Sequence, residues 1–354
     1  MSAGPPVPRI TAMASAVPTN PCDGCYRGWA HGQLGESREA AILERMLHRS
    51  GIGERYTVLS PTDTALEPGS FYAASAPPST AARMSVYASE APELALAAIR
   101  LLPELGRVTH LVLASCTGFT APGLDQVLAR RLGLDPGVER TVIGFMGCYA
   151  GVTALRSAAH IVRSDPAARV LVVAVELCTL HLQPTQSLER LLAMAQFADG
   201  AAAVLVSAEG AGLALGEGLS LTLEDSAELI TWTIGDTGFA MELSGEVPGR
   251  LADALAHPAL AARIGDPAQT EAWAVHPGGR SIIDAVQRGL ALPEDKLAHS
   301  RAVLERYGNM SSASVLLVLQ RLAAEKPASG LALAFGPGLA MEGLRFGWID
   351  GDAG

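Results

Sequence analysis

The sequence is short of charged residues, aromatic residues and cysteine, and it has no long apolar run. Charged residues make up 18% of the 354 residues and aromatic residues 5%, whereas hydrophobic residues make up 49%. This composition is too apolar and too weakly charged for an intrinsically disordered chain. Because no run of 18 apolar residues occurs, no membrane-spanning helix is predicted. We therefore expect a large buried core, in one large domain or two.

Basic residues are also in short supply. The 26 Lys and Arg residues are outnumbered by 36 Asp and Glu residues, which gives a net charge of −10. Nucleic acids and anionic membranes bind to basic surfaces, so this charge argues against a general partner of either kind. A small anionic ligand stays compatible, since it needs only a local basic patch.

Cysteine is sparse and odd in number. The five cysteines do not suggest a disulfide framework, and the proline-rich first 20 residues lack the apolar core of a signal peptide. Reduced thiols and a cytoplasmic location are therefore expected. Cys22 and Cys25 form a C-x-x-C pair without the partners of a zinc site or a thioredoxin-like context, so we interpret the pair as incidental.

Short apolar runs alternate with helical patterns along the chain. This alternation is typical of an α/β protein with a mostly parallel or mixed sheet. Both halves carry similar strand–turn–helix units, which suggests an internal duplication. A long loop is expected at residues 59–80. Strands are predicted at 109–115, 141–147, 168–176, 201–207, 271–277 and 331–336, and helices at 151–162, 281–290 and 312–322.

Cys148 is the first candidate for chemistry. It lies at a predicted strand-to-helix turn between Gly147 and Gly151. Backbone N–H groups and the helix dipole at such a turn stabilise a thiolate, so we expect the thiol pKa to lie below its usual value of about 8.5. A small buried hydrophobic residue in a tight turn is the alternative interpretation.

Two further residues complete a possible catalytic set. His276 ends a predicted strand before Pro-Gly-Gly, and Asn309 lies in the turn before Ser311 and Ser312, a predicted helix N-cap. Each residue alone fits a structural role. Together with Cys148 they form a nucleophile, an imidazole and an amide donor. Papain-like proteases use the same trio, but their local cysteine signature is absent here.

The motifs around these residues occur in the order known for one family. They are RMLHRSGIGERY at 45–56, GCYAG around Cys148, QFADGAAAV around Phe197, HPGG from His276, GNMSSA around Asn309 and AFGPGL at 334–339. In these segments the chain resembles the bacterial type III polyketide synthases, the chalcone synthase-like group of the thiolase-fold superfamily. The resemblance implies a homodimer with an αβαβα layered fold of two pseudo-duplicated halves. Residues 1–212 would carry the cysteine, and 213–354 the histidine and asparagine.

The resemblance also implies a mechanism. Cys148 would be acylated by a starter acyl-CoA, and His276 would help to hold it as a thiolate in an ion pair. His276 and Asn309 would bind the thioester carbonyl of malonyl-CoA and stabilise the enolate that decarboxylation leaves. Repeated Claisen condensations would then lengthen the chain. Coenzyme A thioesters are the substrates, and neither a metal nor a redox cofactor is expected.

Family resemblance assigns further residues to the substrate cavity. Phe197 matches a gatekeeper aromatic residue, and Met241 stands where plant enzymes have a second phenylalanine. Trp232 replaces a small glycine, and Ala121 matches the residue that reaches across the dimer into the neighbouring cavity. The remaining expected cavity residues are Cys116, Cys178, Phe335 and Gly336.

Two arginines match residues that contact CoA phosphates in the family. These are Arg45 and Arg49, whereas Ile42 replaces a third basic residue. Such a patch would reconcile the net negative charge of the chain with an anionic substrate.

The product class is an open choice at the level of the sequence. The cysteine-lined pattern and the Pro-Pro-Ser-Thr segment at 77–80 resemble those of the bacterial alkylpyrone and alkylresorcinol synthases, and this resemblance implies a product of that class. Alternatives are a naphthol-forming synthase that starts from malonyl-CoA, a ketoacyl synthase that uses a carrier protein, and a non-catalytic acyl-CoA-binding protein. Starter, number of extensions and cyclisation depend on cavity volume, which the sequence does not determine.

Overall fold

Thirteen strands are present in the part of the chain that the computed structural model describes, residues 6–60, 69–72 and 77–351. The strand predictions at 109–115, 168–176, 201–207 and 331–336 are confirmed to within two residues. The strands are β1 (Arg9–Ala16), β2 (Asn20–Pro21), β3 (Tyr56–Thr57), β4 (His110–Ser115), β5 (Glu139–Gly144), β6 (Val170–Leu177), β7 (Asp199–Ser207), β8 (Gly212–Thr222), β9 (Ile230–Gly235), β10 (Gly238–Leu243), β11 (Ala272–Val275), β12 (Gly330–Gly336) and β13 (Ala340–Ile349).

Helices separate several of these strands, and the predicted helices are confirmed. Of the loop expected at residues 59–80, residues 61–68 and 73–76 lie outside the described residues, and a helix begins at Thr80. No helix in the described ranges is both long and apolar enough to cross a membrane. The helices are α1 (Asp23–Leu34), α2 (Arg38–His48), α3 (Thr80–Ile99), α4 (Leu124–Arg131), α5 (Ala150–Ser164), α6 (Leu188–Met194), α7 (Val247–Ala256), α8 (Pro258–Ile264), α9 (Arg280–Gly289), α10 (Ala298–Tyr307) and α11 (Ser314–Ala323).

Nine of the strands form one mixed sheet in which a pairing pattern occurs twice. The order is β11-β12-β13-β8-β1-β7-β6-β4-β5. In the first half β4 runs parallel to β6, and β6-β7-β1 are antiparallel; in the second half β11 runs parallel to β12, and β12-β13-β8 are antiparallel. The antiparallel pair β1-β8 joins the halves. The repeated pattern fits an internal duplication, while the boundary at residue 212 stays a prediction.

The buried side chains fall into three clusters that define the layers. Successive residues of a strand point to opposite faces of its sheet. Val172 of β6 accordingly packs in the central cluster with helices α5 and α11, whereas Val173 packs in an outer cluster with Trp29. Likewise, Leu333 of β12 packs with Trp273 in the third cluster. The two sheet halves therefore enclose a central helix layer and carry outer helices, which confirms the predicted αβαβα layering.

The two central helices begin close together. A Cβ atom added to Gly151 would lie 2.2 Å from the carbonyl oxygen of Ser312, so glycine permits the approach of the two chain segments. Cys148 precedes one helix and Ser311 the other. The contact between the halves thus brings the start of each helix to the same place.

Candidate active site

One cavity between the two halves collects most of the predicted site residues. It encloses about 1120 Å³ between atoms, including its open mouth. Because strand ends and helix starts from both halves meet here, residues distant in the sequence share one wall. The predicted residues that line it are Cys148, His276, Asn309, Phe197, Met241, Cys116, Cys178, Trp232, Phe335 and Gly336.

Cys148 lies in a short 3₁₀ turn, Gly147–Tyr149, directly before α5. Its side chain is buried, and burial raises the pKa of the thiol to about 11. Hydrogen bonds from Ser311 and Asn309 lower this pKa, while the charge of Glu176 raises it further. The expectation of a lowered pKa is therefore wrong for this structure, because desolvation outweighs the favourable hydrogen bonds.

His276 follows β11 and is held by its backbone, whose N–H donates to the carbonyl of Leu333 at 2.8 Å. The residue is 1% exposed, and neither ring nitrogen has a hydrogen-bond partner among the described residues. Burial lowers the pKa of His276 to about 3. Burial thus favours the neutral forms of both His276 and Cys148 and opposes the expected ion pair, which stays a prediction. A neutral imidazole still offers one donor and one acceptor to a ligand.

Asn309 is fixed through both its backbone and its side chain. Its backbone N–H donates to Gln196 O at 2.7 Å, and its carbonyl accepts from Ala198 at 2.9 Å. Its side-chain Nδ2 donates to Gly278 O at 3.2 Å, and Oδ1 accepts from the N–H of Ser311 at 2.8 Å. The amide is thereby oriented, and it also donates a hydrogen bond to the Cys148 thiol.

A buried carboxylate that sequence reasoning missed lies beside the cysteines. Glu176 accepts hydrogen bonds from the N–H of Cys116 at 3.0 Å, the hydroxyl of Thr117 at 2.9 Å and the hydroxyl of Ser312. Burial raises the pKa of Glu176, and these hydrogen bonds lower it. A signal was present, since Glu176 directly follows the apolar run 170–175.

The same network overturns the predicted helix cap. Helix α11 begins at Ser314, and no side-chain cap precedes it in the described structure. Ser311 and Ser312 instead form a 3₁₀ turn. The Ser311 hydroxyl faces the cavity 3.4 Å from Cys116 Sγ, and Ser312 bonds to Glu176. Their hydroxyls are thus used by the site.

Three packed rings, those of Trp232, His181 and Phe239, lie together at another part of the cavity wall. Trp232 Nε1 donates to Cys116 O at 2.9 Å. His181, which sequence reasoning missed, contacts Thr117 O through Nε2 at 2.7 Å and accepts from the N–H of Phe239 through Nδ1 at 3.0 Å. The rings of His181 and Phe239 stack at 4.2 Å. Hydrogen bonds thus hold these rings in place from both halves of the chain.

The remaining predicted site residues lie outside the cavity. Ala121, Arg45 and Arg49 are exposed. Arg280, which follows the HPGG segment, donates to Arg49 O at 3.2 Å, so Arg49 lies near that segment. The neighbouring Ile42 is partly buried.

Cys22 and Cys25, the C-x-x-C pair, lie outside this cavity. Cys22 is buried and Cys25 exposed, and both are free thiols. Burial raises the pKa of Cys22 to about 12, which disfavours a reactive thiolate. Within the described ranges, no group of three or more His, Cys, Asp or Glu side chains is arranged to hold a metal ion.

Comparison with known proteins assigns the chain to a family. A family model described as chalcone and stilbene synthases, N-terminal domain, matches residues 17–210, and the corresponding C-terminal domain model matches residues 218–348. The chain therefore belongs to the chalcone and stilbene synthase family, the type III polyketide synthases. Members of this family are acyltransferases.

Individual relatives agree with this assignment. The chain is 34% identical over 252 residues to the alpha-pyrone synthesis polyketide synthase-like Pks18 of Mycobacterium tuberculosis, which covers 67% of this chain and 64% of Pks18, a little under two thirds of that protein. It is 34% identical over 330 residues to bisdemethoxycurcumin synthase of Oryza sativa, covering 85% of this chain and 82% of the relative.

A solved structure extends the similarity to the whole chain. The crystal structure of PKS-I from the brown alga Ectocarpus siliculosus superposes with a TM-score of 0.87 at 31% identity, covering 99% of this chain and 100% of the other. The predicted thiolase-like fold is confirmed by this likeness.

Proposed function

We propose that the protein condenses malonyl-CoA repeatedly onto an acyl-CoA starter held on Cys148. The observation that carries this proposal is the convergence of Cys148, His276 and Asn309 on one buried cavity. The two ring nitrogens of His276 are buried without partners there, and the side-chain amide of Asn309 lines the same cavity. This is the donor arrangement that an anionic thioester oxygen requires.

Loading of the starter begins with the neutral thiol and imidazole. The thiol proton passes to His276 as Cys148 Sγ attacks the acyl carbon. The C–S bond to coenzyme A breaks, and the proton leaves with coenzyme A as its thiol. Burial of the cavity excludes water, which would otherwise hydrolyse the acyl-enzyme.

Extension uses the same donors at a second thioester. Malonyl-CoA loses CO₂, and the electron pair of the broken C–C bond moves onto the thioester oxygen. N–H groups of His276 and Asn309 stabilise this enolate. Its carbon attacks the Cys148 thioester, forming a C–C bond while the C–S bond breaks and releases the thiolate. The lengthened chain then returns to Cys148. Coenzyme A thioesters are the reactants, and no metal or redox group enters a step.

An alkylpyrone or alkylresorcinol is the proposed product class. The name of Pks18 refers to alpha-pyrone synthesis. The cavity wall is largely apolar, with Ile230, Leu243 and Phe335 among its residues, which suits a hydrocarbon chain.

The proposed location is the cytoplasm. The five cysteines are free thiols, and free thiols are typical of a reducing compartment.

The test is incubation of the protein with malonyl-CoA and starters from acetyl-CoA to long-chain and aromatic acyl-CoAs, with products read by mass spectrometry. Multiply extended, cyclised products are expected. Cys148→Ala should abolish them, whereas Cys25→Ala, an exposed thiol outside the cavity, should not. Asn309→Ala should keep acylation of Cys148 and slow condensation roughly 10²–10³-fold. Products extended only once, or turnover only with a carrier protein, would favour a ketoacyl synthase. Malonyl-CoA as the best starter would favour a naphthol-forming synthase.

We also propose a homodimer. Phe119, Val142 and Phe145 are large apolar residues that are exposed around the edge strand β5, and Ala121 is exposed close by in the sequence. Exposed apolar clusters and open strand edges are characteristic of association surfaces. Light scattering should give twice the chain mass of 36.7 kDa, and Val142→Lys should reduce it to the monomer. A monomeric wild-type protein would contradict the proposal.

A further inference from the structure

The β9-β10 hairpin forms one side of the cavity as a separate unit. Within the described residues its strands pair with each other and not with the nine-stranded sheet. Trp232 and Met241 face each other across the hairpin, and both line the cavity. The position of the hairpin therefore sets the width of the cavity on this side.

Neutral hydrogen bonds fix the turn and the middle of the hairpin to the first half of the chain. At the turn, the N–H of Gly238 donates to the Thr80 hydroxyl at 2.8 Å, and Gln183 Nε2 donates to Thr237 O at 2.9 Å. In the middle, Trp232 is bonded to Cys116 O at 2.9 Å. At the open end, Ile230 is buried in the third cluster and Leu243 packs against that cluster.

An ion pair holds that open end. Arg190 of α6 pairs with Glu242 of β10 through two contacts, Nε to Oε2 at 3.1 Å and Nη2 to Oε1 at 2.5 Å. Beside it, the N–H of Gly245 donates to Glu189 at 3.1 Å. The Arg190 and Glu242 side chains line the cavity yet are 51% and 45% exposed, whereas Cys148 is 8% exposed, so the pair lies at the mouth.

The pair joins two neighbouring elements at the mouth, helix α6 and strand β10. Helix α6 ends at Met194, three residues before Phe197, and both residues line the cavity. Glu242 directly follows Met241 on the hairpin. Since an exposed ion pair contributes little to global stability and is screened by salt, the open end can loosen without unfolding of the protein.

We infer that the Arg190–Glu242 pair holds the open end of the hairpin against α6 and so limits the bulk of the acyl group that reaches Cys148. This inference rests on the proposed function. Both residues are positioning residues, because they act through the placement of Met241 and Phe197 and do not contact the reacting atoms.

The test measures acylation of Cys148 by intact-protein mass spectrometry, with acetyl-CoA and with a bulky starter, benzoyl-CoA. Glu242→Gln and Arg190→Gln are each expected to raise the benzoyl-to-acetyl rate ratio several-fold. The double reversal Arg190→Glu with Glu242→Arg should return it towards the wild-type value. The two single variants change the net charge in opposite directions. A direct effect of charge on the binding of anionic CoA would therefore shift the acylation rates of the two variants in opposite directions.

A matched control and a salt series complete the design. Glu93→Gln breaks an exposed pair with Arg131 outside the cavity and should leave the ratio unchanged. Added KCl should raise the ratio in the wild type and have no such effect in Glu242→Gln. Unchanged ratios in both single variants, or opposite shifts, would overturn the inference. Absence of any acylation in the wild type would instead refute the proposed function.

Discussion

At Cys148, burial and hydrogen bonding act on the thiol in opposite directions. Desolvation is the larger effect and raises its pKa to about 11, while hydrogen bonds from Ser311 and Asn309 favour the thiolate. His276 beside it in the cavity is neutral for the same reason, since burial lowers its pKa to about 3. Burial therefore favours the neutral thiol, which is the less nucleophilic form of cysteine.

Alkylation of Cys148 should report this pKa. Only the thiolate reacts, so with a pKa of about 11 the rate should rise tenfold per pH unit from pH 7 to pH 10. Glu176→Gln should raise the rate at every pH, because it removes a negative charge that disfavours the thiolate. Iodoacetamide labelling followed by peptide mass mapping measures the rate. A plateau below pH 8 would show instead that the thiol is already ionised.

The sequence singles out three residues that line one cavity in the structure, whereas it does not reveal the effect of burial on the pKa values of Cys148 and His276. Cys148, His276 and Asn309 each occupy a local setting, a strand end or a turn, that short sequence patterns reveal. Desolvation depends on everything packed around a group. Glu176 illustrates this, since its partner Ser312 lies 136 residues away in the sequence.

Among the secondary-structure elements, helices α5 and α11 begin in very close contact. Gly151→Ala would place a Cβ atom 2.2 Å from Ser312 O, which forces the helix starts apart. We expect a loss of about 1–3 kcal/mol in the free energy of unfolding. Urea denaturation measures it.

Gly249→Ala supplies the control for that substitution. Gly249 is exposed in α7 and has no atom within 4 Å of the added Cβ position, so alanine should leave stability equal or slightly higher. If Gly151→Ala and Gly249→Ala were equally stable, the first residues of α5 and α11 would not be in the close contact described above.

Element positions were largely predictable, whereas their arrangement was not. The buried strands β4, β6, β7 and β12 are continuous apolar runs, which is a local signal. The place of β1 between β7 and β8, and the separation of the β9-β10 hairpin from the sheet, depend on pairings between distant segments. Periodicity carries no information about such pairings.

For the whole molecule, the shared central layer predicts a single unfolding transition. Trp29 lies in the outer cluster of the first half and Trp273 in that of the second, and both are buried. Variants that retain one of these tryptophans should show coincident fluorescence midpoints on heating. Two separate midpoints would mean that the halves unfold independently.

The position of β1 also has a consequence during synthesis. Thr11 of β1 contacts Leu205 of β7, 194 residues later in the chain. At the translation rate of 5–20 residues per second, this strand leaves the ribosome roughly 10–40 s before its neighbours exist. Throughout that interval the nascent chain displays an unpaired apolar segment, so its yield in a cell should depend on the chaperones that shield emerging polypeptides.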